Sequence, residues 1–378
     1  MTHHPPDEPL HIGLVVYGDL STASGGFRYD RKLVEFLRRR GDWVDVISLP
    51  WRSYSRNVAR GLLPSVRTRL DRQVDALVVD GLCHSALWRH GGRLSEPRAV
   101  VGLLHHIQSD DPTERFGRFF EPFERRFLRG LDATIATSEF TQQRAARLAP
   151  TVTDQPALVA PPGGRLSVRD RNNTETTETT EAIKKPPRKP GEPFELLFVG
   201  SVVSRKDPKA LLSAVSSARE QLGDWRLTVI GSRTADPAYA NSVVAYAESL
   251  GIADRVTFAG EVSRPTVEAA FERSHVCCVP SRYEGFGMVY LEAMEYGVVP
   301  IASARGGASE FIEHGRSGFL VEPGDSATIA DSLTALATDS DRLATMSQRA
   351  RTAAVAHPPW DETLEEVRSF LSRVVDTA

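Results

Sequence analysis

The sequence is poor in several features that mark whole classes of protein. Its 378 residues include three cysteines, Cys83, Cys277 and Cys278. An odd count with an adjacent pair fits neither a disulfide framework nor a zinc site of spaced pairs, so we expect three buried, reduced thiols. No apolar run approaches the roughly 18 residues of a membrane span, and the polar start MTHHPPDEPL lacks the pattern of a signal peptide. These absences predict a cytoplasmic protein that contacts a membrane at most peripherally, at its inner face.

Motifs for the common nucleotide cofactors are also missing. The chain contains no Gly-Lys dipeptide and therefore no GxxxxGK[ST] phosphate loop, and the GxG of Gly285 and Gly287 lacks the third glycine of a dinucleotide fingerprint. Asp339-Ser-Asp341 imitates a metal-binding DxD pair, but it lies in a polar turn and is predicted to cap a helix. We therefore expect no cofactor and no metal.

The charge of the whole chain has no dominant sign. The net charge is −3, but residues 1–165 carry 23 Lys and Arg against 19 Asp and Glu, whereas residues 166–378 carry 23 against 30. The total argues against a nucleic-acid partner. The arginine-rich first half leaves two interpretations open, ordinary helices with a solvated face or a surface for anionic lipid or a charged acceptor.

Short apolar strands that alternate with helices are the main feature that is present. Strands are predicted at 12–17, 44–49, 76–79, 99–105, 133–137 and 157–160, and again at 195–200, 226–231, 256–259, 275–279 and 299–302, with a helix at 208–222. This alternation predicts α/β domains with parallel sheets. We place the first domain at 1–165 and the second at 194–358. The Thr/Glu/Pro-rich segment 166–193 between them is expected to be a flexible linker.

The segment Pro280–Pro300 concentrates the candidate functional residues. The turn Glu284–Gly287 follows a strand and opens a helix that starts at Gly287 or Met288. Backbone amides at such a glycine-bearing helix start, together with the helix dipole, form an anion site. Glu292 lies in that apolar helix and must be paired or meet a polar ligand, whereas Glu295 fits a surface position better.

Several motifs together resemble the retaining family-4 glycosyltransferases of GT-B fold (glycosyl transferases group 1). They are Glu284-x7-Glu292 with its EGFG turn, Arg305–Asp325, Phe198–Asp207 and Val256–Ser263. The resemblance is strong over about residues 195–365 and weaker over 12–164. It implies two Rossmann-like domains that face each other across a cleft, with the acceptor on the first and the nucleotide sugar on the second. The final helix, 359–378, is implied to cross back to the first domain from Trp360.

The resemblance also implies roles for individual residues. Glu292 would hold the ribose hydroxyls of the nucleotide sugar, and Glu284 would meet the donor sugar near its reacting carbon. A basic pair would clamp the diphosphate, but this chain has Ser201 where the family's arginine stands. Arg205 and Lys206 lie side by side instead, and Lys206 keeps the expected distance along the chain from Gly200.

On the first domain, Gly25 and Gly26 resemble the family's glycine turn, and His105 or His106 matches a histidine beside the donor sugar or the acceptor. The expected catalytic residues are Glu284, His105, His106, Lys206 and Arg205. The expected donor-binding residues are Gly25, Gly26, Gly200, Arg205, Lys206, Gly285, Phe286, Gly287, Met288 and Glu292.

The reaction implied is transfer of a sugar from a UDP- or GDP-sugar to a glycan, lipid or small-molecule acceptor, with retention and without a metal. Such a reaction is expected in the synthesis of a cell-envelope glycan or glycolipid. Three alternatives remain open. One is a sugar-nucleotide epimerase of the same fold, and another is a non-catalytic sugar-nucleotide-binding protein. The third is a metal-dependent hydrolase built on His105, His106, Asp110 and Asp111.

Overall fold

A computed structural model describes residues 8–22, 24–113, 117–164 and 191–378. The chain divides into two compact units, Met1–Gly163 with Trp360–Ala378, and Gly164–Pro359. Each unit is built on one parallel sheet with helices, so the predicted α/β class is confirmed. The linker predicted at 166–193 lies almost entirely outside the described residues.

The first unit contains a six-stranded sheet in the order β2-β1-β3-β4-β5-β6. Its strands are β1 His11–Tyr17, β2 Trp43–Leu49, β3 Ala76–Asp80, β4 Ala99–Leu104, β5 Ala133–Ala136 and β6 Ala157–Val159. Its helices are α1 Gly25–Arg39, α2 Tyr54–Arg60, α3 Pro64–Leu70, α4 His84–Leu87, α5 Gly117–Leu128 and α6 Glu139–Leu148. Strands β3 and β4 are buried along their whole length. Continuous apolar strands of this kind belong in a parallel sheet that is covered on both faces.

The second unit repeats the plan with the sheet order β12-β11-β10-β7-β8-β9. Its strands are β7 Phe194–Val199, β8 Trp225–Ile230, β9 Val256–Gly260, β10 Val276–Val279, β11 Val299–Ser303 and β12 Phe319–Val321. Its helices are α7 Pro208–Leu222, α8 Pro237–Ser249, α9 Arg264–Arg273, α10 Met288–Glu295, α11 Ser326–Thr338 and α12 Ser340–Ala356. Cys277 and Cys278 are adjacent in β10, and both are fully buried because side chains alternate between two covered faces.

The last helix, α13 Trp360–Thr377, belongs to the first unit. Its Arg368 is buried and donates from Nε and Nη2 to the two carboxylate oxygens of Asp42, at 2.8 and 2.9 Å. The exposed pair Arg39–Asp361 joins the same helix to α1 at 2.7 Å. A bidentate pair in a buried position fixes the orientation of α13 on this unit.

Both sheets carry a topological switch point, next to the edge strand in the first sheet and at the centre of the second. In the first unit β1 lies between β2 and β3, and in the second unit β7 lies between β8 and β10, so that connections leave in opposite directions. Ligands of open α/β sheets bind at such a point, outside the carboxyl ends of the strands. The residues that follow β1, β3, β7 and β10 are therefore the positions in which to look for a site.

The predicted strands are all present, with ends that differ by at most one residue. The prediction of buried cysteines without disulfides is confirmed, and Asp339 caps α12 by accepting from the Arg342 amide at 2.8 Å. Strand β12 and helices α2 and α3 were not predicted. Within the described residues, none of the helices combines the length and the apolar character that crossing a bilayer requires.

Candidate functional site

A buried ion pair lies at the switch point of the second unit. Lys206 ends a short 3₁₀ turn after β7, and its Nζ donates to Glu284 Oε2 in the loop after β10. The Ser281 hydroxyl donates to the same oxygen at 3.1 Å. The side chains of Lys206 and Glu284 are 14% and 12% exposed. The two predicted residues are thus brought together from strands that are neighbours in the sheet but far apart in sequence.

Arg205 supports this pair from the side. Its Nη1 lies 3.7 Å from Glu284 Oε1 and donates to the Tyr283 carbonyl at 3.1 Å. Gly200 lies next to the aliphatic part of the Lys206 side chain. A Cβ built on Gly200 would be 3.6 Å from Lys206 Cε. The predicted basic pair therefore surrounds one carboxylate, with Arg205 on one oxygen and Lys206 on the other.

The protonation states follow from burial and from these contacts. Burial by itself raises the pKa of Glu284, but the charges of Lys206 and Arg205 and the hydrogen bonds from Lys206 and Ser281 outweigh it and hold that pKa at about 2. Burial lowers the pKa of Lys206, and the charge of Glu284 opposes this effect only in part. Glu284 is therefore ionised near neutral pH, and the Lys206 side chain beside it is 14% exposed.

The glycine turn brings the start of α10 to this ion pair. Gly287 has φ 93°, and a Cβ on it would lie 2.5 Å from the Tyr290 ring, so both the backbone conformation and the packing require glycine. The same Cβ would lie 3.5 Å from Glu284 Cγ. The Tyr290 hydroxyl donates to the Val279 carbonyl at 2.5 Å, which ties α10 to the end of β10. The first amides of α10 therefore lie beside Glu284.

The other predicted residues of the turn have apolar side chains or none, so only their backbone groups are available to a ligand. Phe286 is 4% exposed and its ring stacks on Phe311, with ring centroids 4.8 Å apart. Gly285 accepts a hydrogen bond from the Gly307 amide at 3.0 Å. The side chain of Phe286 thus belongs to the core, and Met288 is packed against that core as well.

Glu292 is paired, as a carboxylate in an apolar helix must be. Its Oε1 accepts from Arg264 Nη1 at 2.9 Å, and Arg264 Nε donates to Glu268 at the same distance. The side chain of Glu292 is 12% exposed. Burial and the charge of Glu292 raise the pKa of the Cys277 thiol to about 12, and the charge of Lys206 opposes this effect.

The structure adds one residue to the predicted site, Arg264, and corrects the position predicted for Glu295. Arg264 was not predicted, because it opens α9 in a segment that carries no motif of its own. The surface position expected for Glu295 is wrong, since this side chain is 3% exposed. A Cβ on Gly164 would lie 3.4 Å from Glu295 Oε1, so the carboxylate points into the unit where residues 164 and 295 pack.

In the first unit, the glycine turn and one histidine are neighbours. Gly25 and Gly26 open α1, which Ser24 caps by accepting from the Phe27 amide at 3.2 Å. A Cβ on Gly26 would lie 3.1 Å from His105 Cδ2. His105 follows β4, and its Nε2 lies 3.0 Å from Asp30 Oδ1. Two predicted site residues thus meet at the carboxyl edge of this sheet.

The same edge holds residues that were not predicted. Asp30, Asp80 and His105 bring one ligand atom each within 4.8 Å of one another. His106 follows His105 along the chain and does not belong to this group. Asp80 ends β3, so a polar residue directly after an apolar strand was the available signal. Asp30 lies among the apolar positions of α1 and carried none.

The residue set of the hydrolase alternative is not assembled in this structure. Asp110 pairs with Arg144, and Asp111 accepts from the Thr113 amide and hydroxyl at 2.9 and 2.7 Å. Among the described residues, the group with metal-ligand spacing contains neither of these aspartates. Of the HHIQSDD segment, only His105 belongs to that group.

The second unit offers complementary groups to a phosphorylated ligand. Two cations and the amides at the start of α10 suit a diphosphate. The Glu292 carboxylate suits a pair of hydroxyls, because an ionised carboxylate only accepts hydrogen bonds. Within the first unit, a glycine turn and an imidazole lie together at the carboxyl edge of the sheet.

Comparison with known proteins finds a match to one family model, largely within the second half of the chain. Residues 179–353, which span most of the second unit, match the family model of glycosyl transferases group 1. The chain is 27% identical over 298 residues to a GDP-mannose-dependent alpha-(1-6)-phosphatidylinositol monomannoside mannosyltransferase of Mycobacterium tuberculosis. The match covers 74% of this chain and 72% of that protein.

Solved structures share the whole fold. Sucrose-phosphate synthase from Thermosynechococcus elongatus superposes with a TM-score of 0.78 at 19% identity, over 98% of this chain and 100% of that one. Anabaena HepE in complex with UDP-glucose gives a TM-score of 0.70 at 18% identity, over 96% and 100%. The predicted GT-B fold is confirmed.

Proposed function

We propose that this chain, whose residues 179–353 match the family model of glycosyl transferases group 1, is a glycosyltransferase that moves a sugar from a nucleotide diphosphate sugar to an acceptor hydroxyl with retention. The observation that carries the proposal is the buried Lys206–Glu284 pair beside the first amides of α10. A site with fixed cations and helix amides stabilises a leaving diphosphate without reorganisation.

The proposed chemistry breaks the bond between the anomeric carbon and the phosphate oxygen and forms a bond to the acceptor oxygen on the same face. The departing diphosphate takes the acceptor's proton. Lys206, Arg205 and the start of α10 stabilise the charge that develops on the diphosphate. Glu284 faces the sugar near its reacting carbon, and Glu292 accepts from the ribose hydroxyls. Gly25, Gly26 and His105 act on the sugar or the acceptor from the first unit.

The donor is a UDP- or GDP-sugar in this proposal, and no metal or other cofactor takes part. Two cations and a helix start supply positive charge of the kind that a divalent ion otherwise provides to a diphosphate. The mannosyltransferase relative is GDP-mannose-dependent, and the HepE structure contains UDP-glucose. We propose a glycan, lipid or small-molecule acceptor.

We also propose that the first unit contacts anionic lipid through the segment Trp51–Leu70. Trp51, Leu62 and Leu63 are 58%, 54% and 48% exposed, and this segment also presents exposed arginines, Arg52, Arg56, Arg67 and Arg69. Exposed apolar side chains among cations suit the surface of an anionic bilayer. Binding to anionic vesicles that weakens with salt and is absent for neutral vesicles supports this contact. Failure to bind anionic vesicles at any ionic strength contradicts it.

The site is tested by a panel of nucleotide sugars in a thermal-shift assay, followed by turnover of the donor that stabilises the protein. We expect Lys206→Ala and Glu292→Ala each to lower donor-dependent turnover by orders of magnitude. The matched control is Lys209→Ala, which removes the same charge three residues away, where the ammonium lies over the rings of Tyr239 and Tyr246. Unchanged kinetics in both site variants contradict the proposal.

Incubation with the donor alone separates the alternatives. An epimerase converts its sugar nucleotide without an acceptor, and a non-catalytic binding protein leaves it unchanged whether or not an acceptor is added. The proposal requires that release of the nucleoside diphosphate depend on the acceptor.

A further inference from the structure

Three titratable side chains form a compact buried group at the carboxyl edge of the first sheet. Asp30 lies on α1, Asp80 ends β3, and His105 follows β4. One carboxylate oxygen of each aspartate and one ring nitrogen of the histidine all lie within 4.8 Å of one another. Asp30 and Asp80 are 0% and 2% exposed, and the His105 side chain is 11% exposed. We call these three residues the carboxylate–imidazole cluster. It lies beside the switch point between β1 and β3, where the fold favours a ligand.

The imidazole of His105 is held from several sides. Its Nε2 lies 3.0 Å from Asp30 Oδ1, its Cγ–Cδ2 edge faces the backbone of Gly26, and the Tyr29 ring meets it edge-on with centroids 5.5 Å apart. The pKa of the Tyr29 phenol is raised by burial and by Asp30, so this neighbour stays neutral. With Nε2 committed to Asp30, Nδ1 is the ring nitrogen that remains for a substrate.

Local hydrogen bonds do not satisfy all the oxygens of the two carboxylates. Asp80 Oδ1 accepts from the Leu82 amide at 2.8 Å, which is a local cap. Asp30 Oδ2 is buried and accepts no hydrogen bond from the residues that the structure describes. A buried carboxylate oxygen without a partner is unfavourable by itself. The charge of Asp30 acts instead on its neighbours His105 and Asp80.

We propose that Asp30 and Asp80 are positioning residues, with Asp30 holding His105 as an imidazolium whose Nδ1–H is a fixed donor for a substrate oxygen, and Asp80 holding a second, exchangeable proton. The link to sugar transfer rests on the proposed function, but the arrangement of protons does not. The cluster then presents a positive hydrogen-bond donor next to the glycine turn, which suits an oxygen that is negative or becomes negative during the reaction.

The electrostatic environment supports this assignment. Burial by itself lowers the pKa of His105, but the charge and hydrogen bond of Asp30 and the charge of Asp80 outweigh it, so the net shift is upward. Burial and the charge of Asp30 raise the pKa of Asp80 to about 7, against the opposing effects of His105 and the Leu82 amide. The nearby Cys83 thiol stays protonated, because burial and both carboxylates raise its pKa well above the ordinary value. The exchangeable proton is therefore that of Asp80.

The test is a pH titration of the histidine ring resonances by NMR, on the full chain without substrate. The His105 signal is identified by its loss in His105→Gln. In the unmodified protein we expect His105 to remain an imidazolium above the ordinary pKa of about 6.5, with an additional inflection near pH 7 from Asp80. A single transition at or below pH 6.5 overturns the proposal, and this result requires no folded variant.

Variants separate the two carboxylates. Asp30→Asn keeps an acceptor for Nε2 but removes the charge, and we expect it to lower the pKa of His105 by about one pH unit or more. Asp80→Asn should abolish the inflection near pH 7. The matched control is Asp42→Asn, which removes a buried carboxylate paired with Arg368 in the same unit and should leave the His105 titration unchanged. An unaltered titration in Asp30→Asn overturns the proposal.

Kinetics then test the connection to catalysis. We expect Asp80→Asn to remove a pH dependence near 7 from kcat/KM, and Asp30→Asn to lower kcat more than it raises KM. Asp30→Glu, which restores the charge, should recover part of the loss. If the NMR results hold and no sugar transfer is found with any donor, the proposed function fails while the proton arrangement stands. Saturable binding of added Zn²⁺ that requires all three side chains would assign the cluster to a metal and overturn it.

Discussion

Replacement of Glu284 by Gln should destabilise the second unit in a way that depends on pH. The carboxylate is held at a pKa of about 2 by Lys206, Arg205 and Ser281, against an ordinary value of about 4.5. A depressed pKa contributes stability that is fully present above the unfolded-state value and is lost as the pH falls through the folded-state value. A difference of about 2.5 pH units corresponds to about 3 kcal/mol. About 2 kcal/mol of this should disappear between pH 7 and pH 3.

The measurement is urea unfolding of the wild type and Glu284→Gln at a series of pH values. Trp225 is 2% exposed and is the tryptophan of the second unit, so its fluorescence reports that unit alone once the chain's other four tryptophans are replaced by Phe in both proteins. The free-energy difference between wild type and variant should shrink by about 2 kcal/mol from pH 7 to pH 3. Glu268→Gln serves as the control, because this carboxylate accepts from Arg264 Nε at 2.9 Å. A difference that stays constant over this range refutes the electrostatic account of the pair.

Three further predictions concern the donor site. Gly287→Ala places a methyl group against the Tyr290 ring at a positive φ. Calorimetry should therefore show a midpoint of thermal unfolding that is lower by several degrees. Donor binding should weaken as well, and a smaller ligand-induced stabilisation would show it. Arg264→Gln removes the cation that lies 2.9 Å from Glu292 Oε1, and steady-state kinetics should show a raised KM for the nucleotide sugar with kcat changed much less. Prior treatment with EDTA should leave the transfer rate unchanged, and a rate that falls and returns on addition of Mg²⁺ would contradict a site whose positive charge comes from Lys206 and Arg205.

The strand pattern was predictable because it is local. Runs of Val, Ile and Leu between glycine-bearing turns mark each strand, and buried parallel strands are apolar along their whole length. Strand β12 was not predicted because Phe319–Val321 is too short to show any periodicity. Helices α2 and α3 were missed because each has only seven residues, two of them arginines, which is too short to show a helical period.

The candidate site was predictable where a motif fixes the backbone. The EGFG turn required a glycine at Gly287, and the structure gives the reason in its positive φ and in the nearby Tyr290 ring. The pairing of Lys206 with Glu284 depends instead on β7 lying next to β10 in the sheet, and no local pattern contains that information. The roles of these residues toward the donor remain predictions.

The residues that sequence reasoning missed are those whose partners are distant in sequence. Arg264 meets Glu292 across 28 residues, and Asp30 meets His105 across 75. In each case one partner was recognised from a motif, whereas the other lies at an unremarkable position of a helix. Glu295 was misassigned for a related reason. Whether a charged residue on a short helix is buried depends on distant segments of the same chain that pack against it.

The most direct test of the central claim is an NMR measurement of the reaction products with the donor that best stabilises the protein and a panel of acceptors. We expect one nucleoside diphosphate to be released for each new glycoside, and the anomeric configuration of the glycoside to match that of the donor. Release without an acceptor, interconversion of the donor sugar, or a glycoside of inverted configuration would contradict the account.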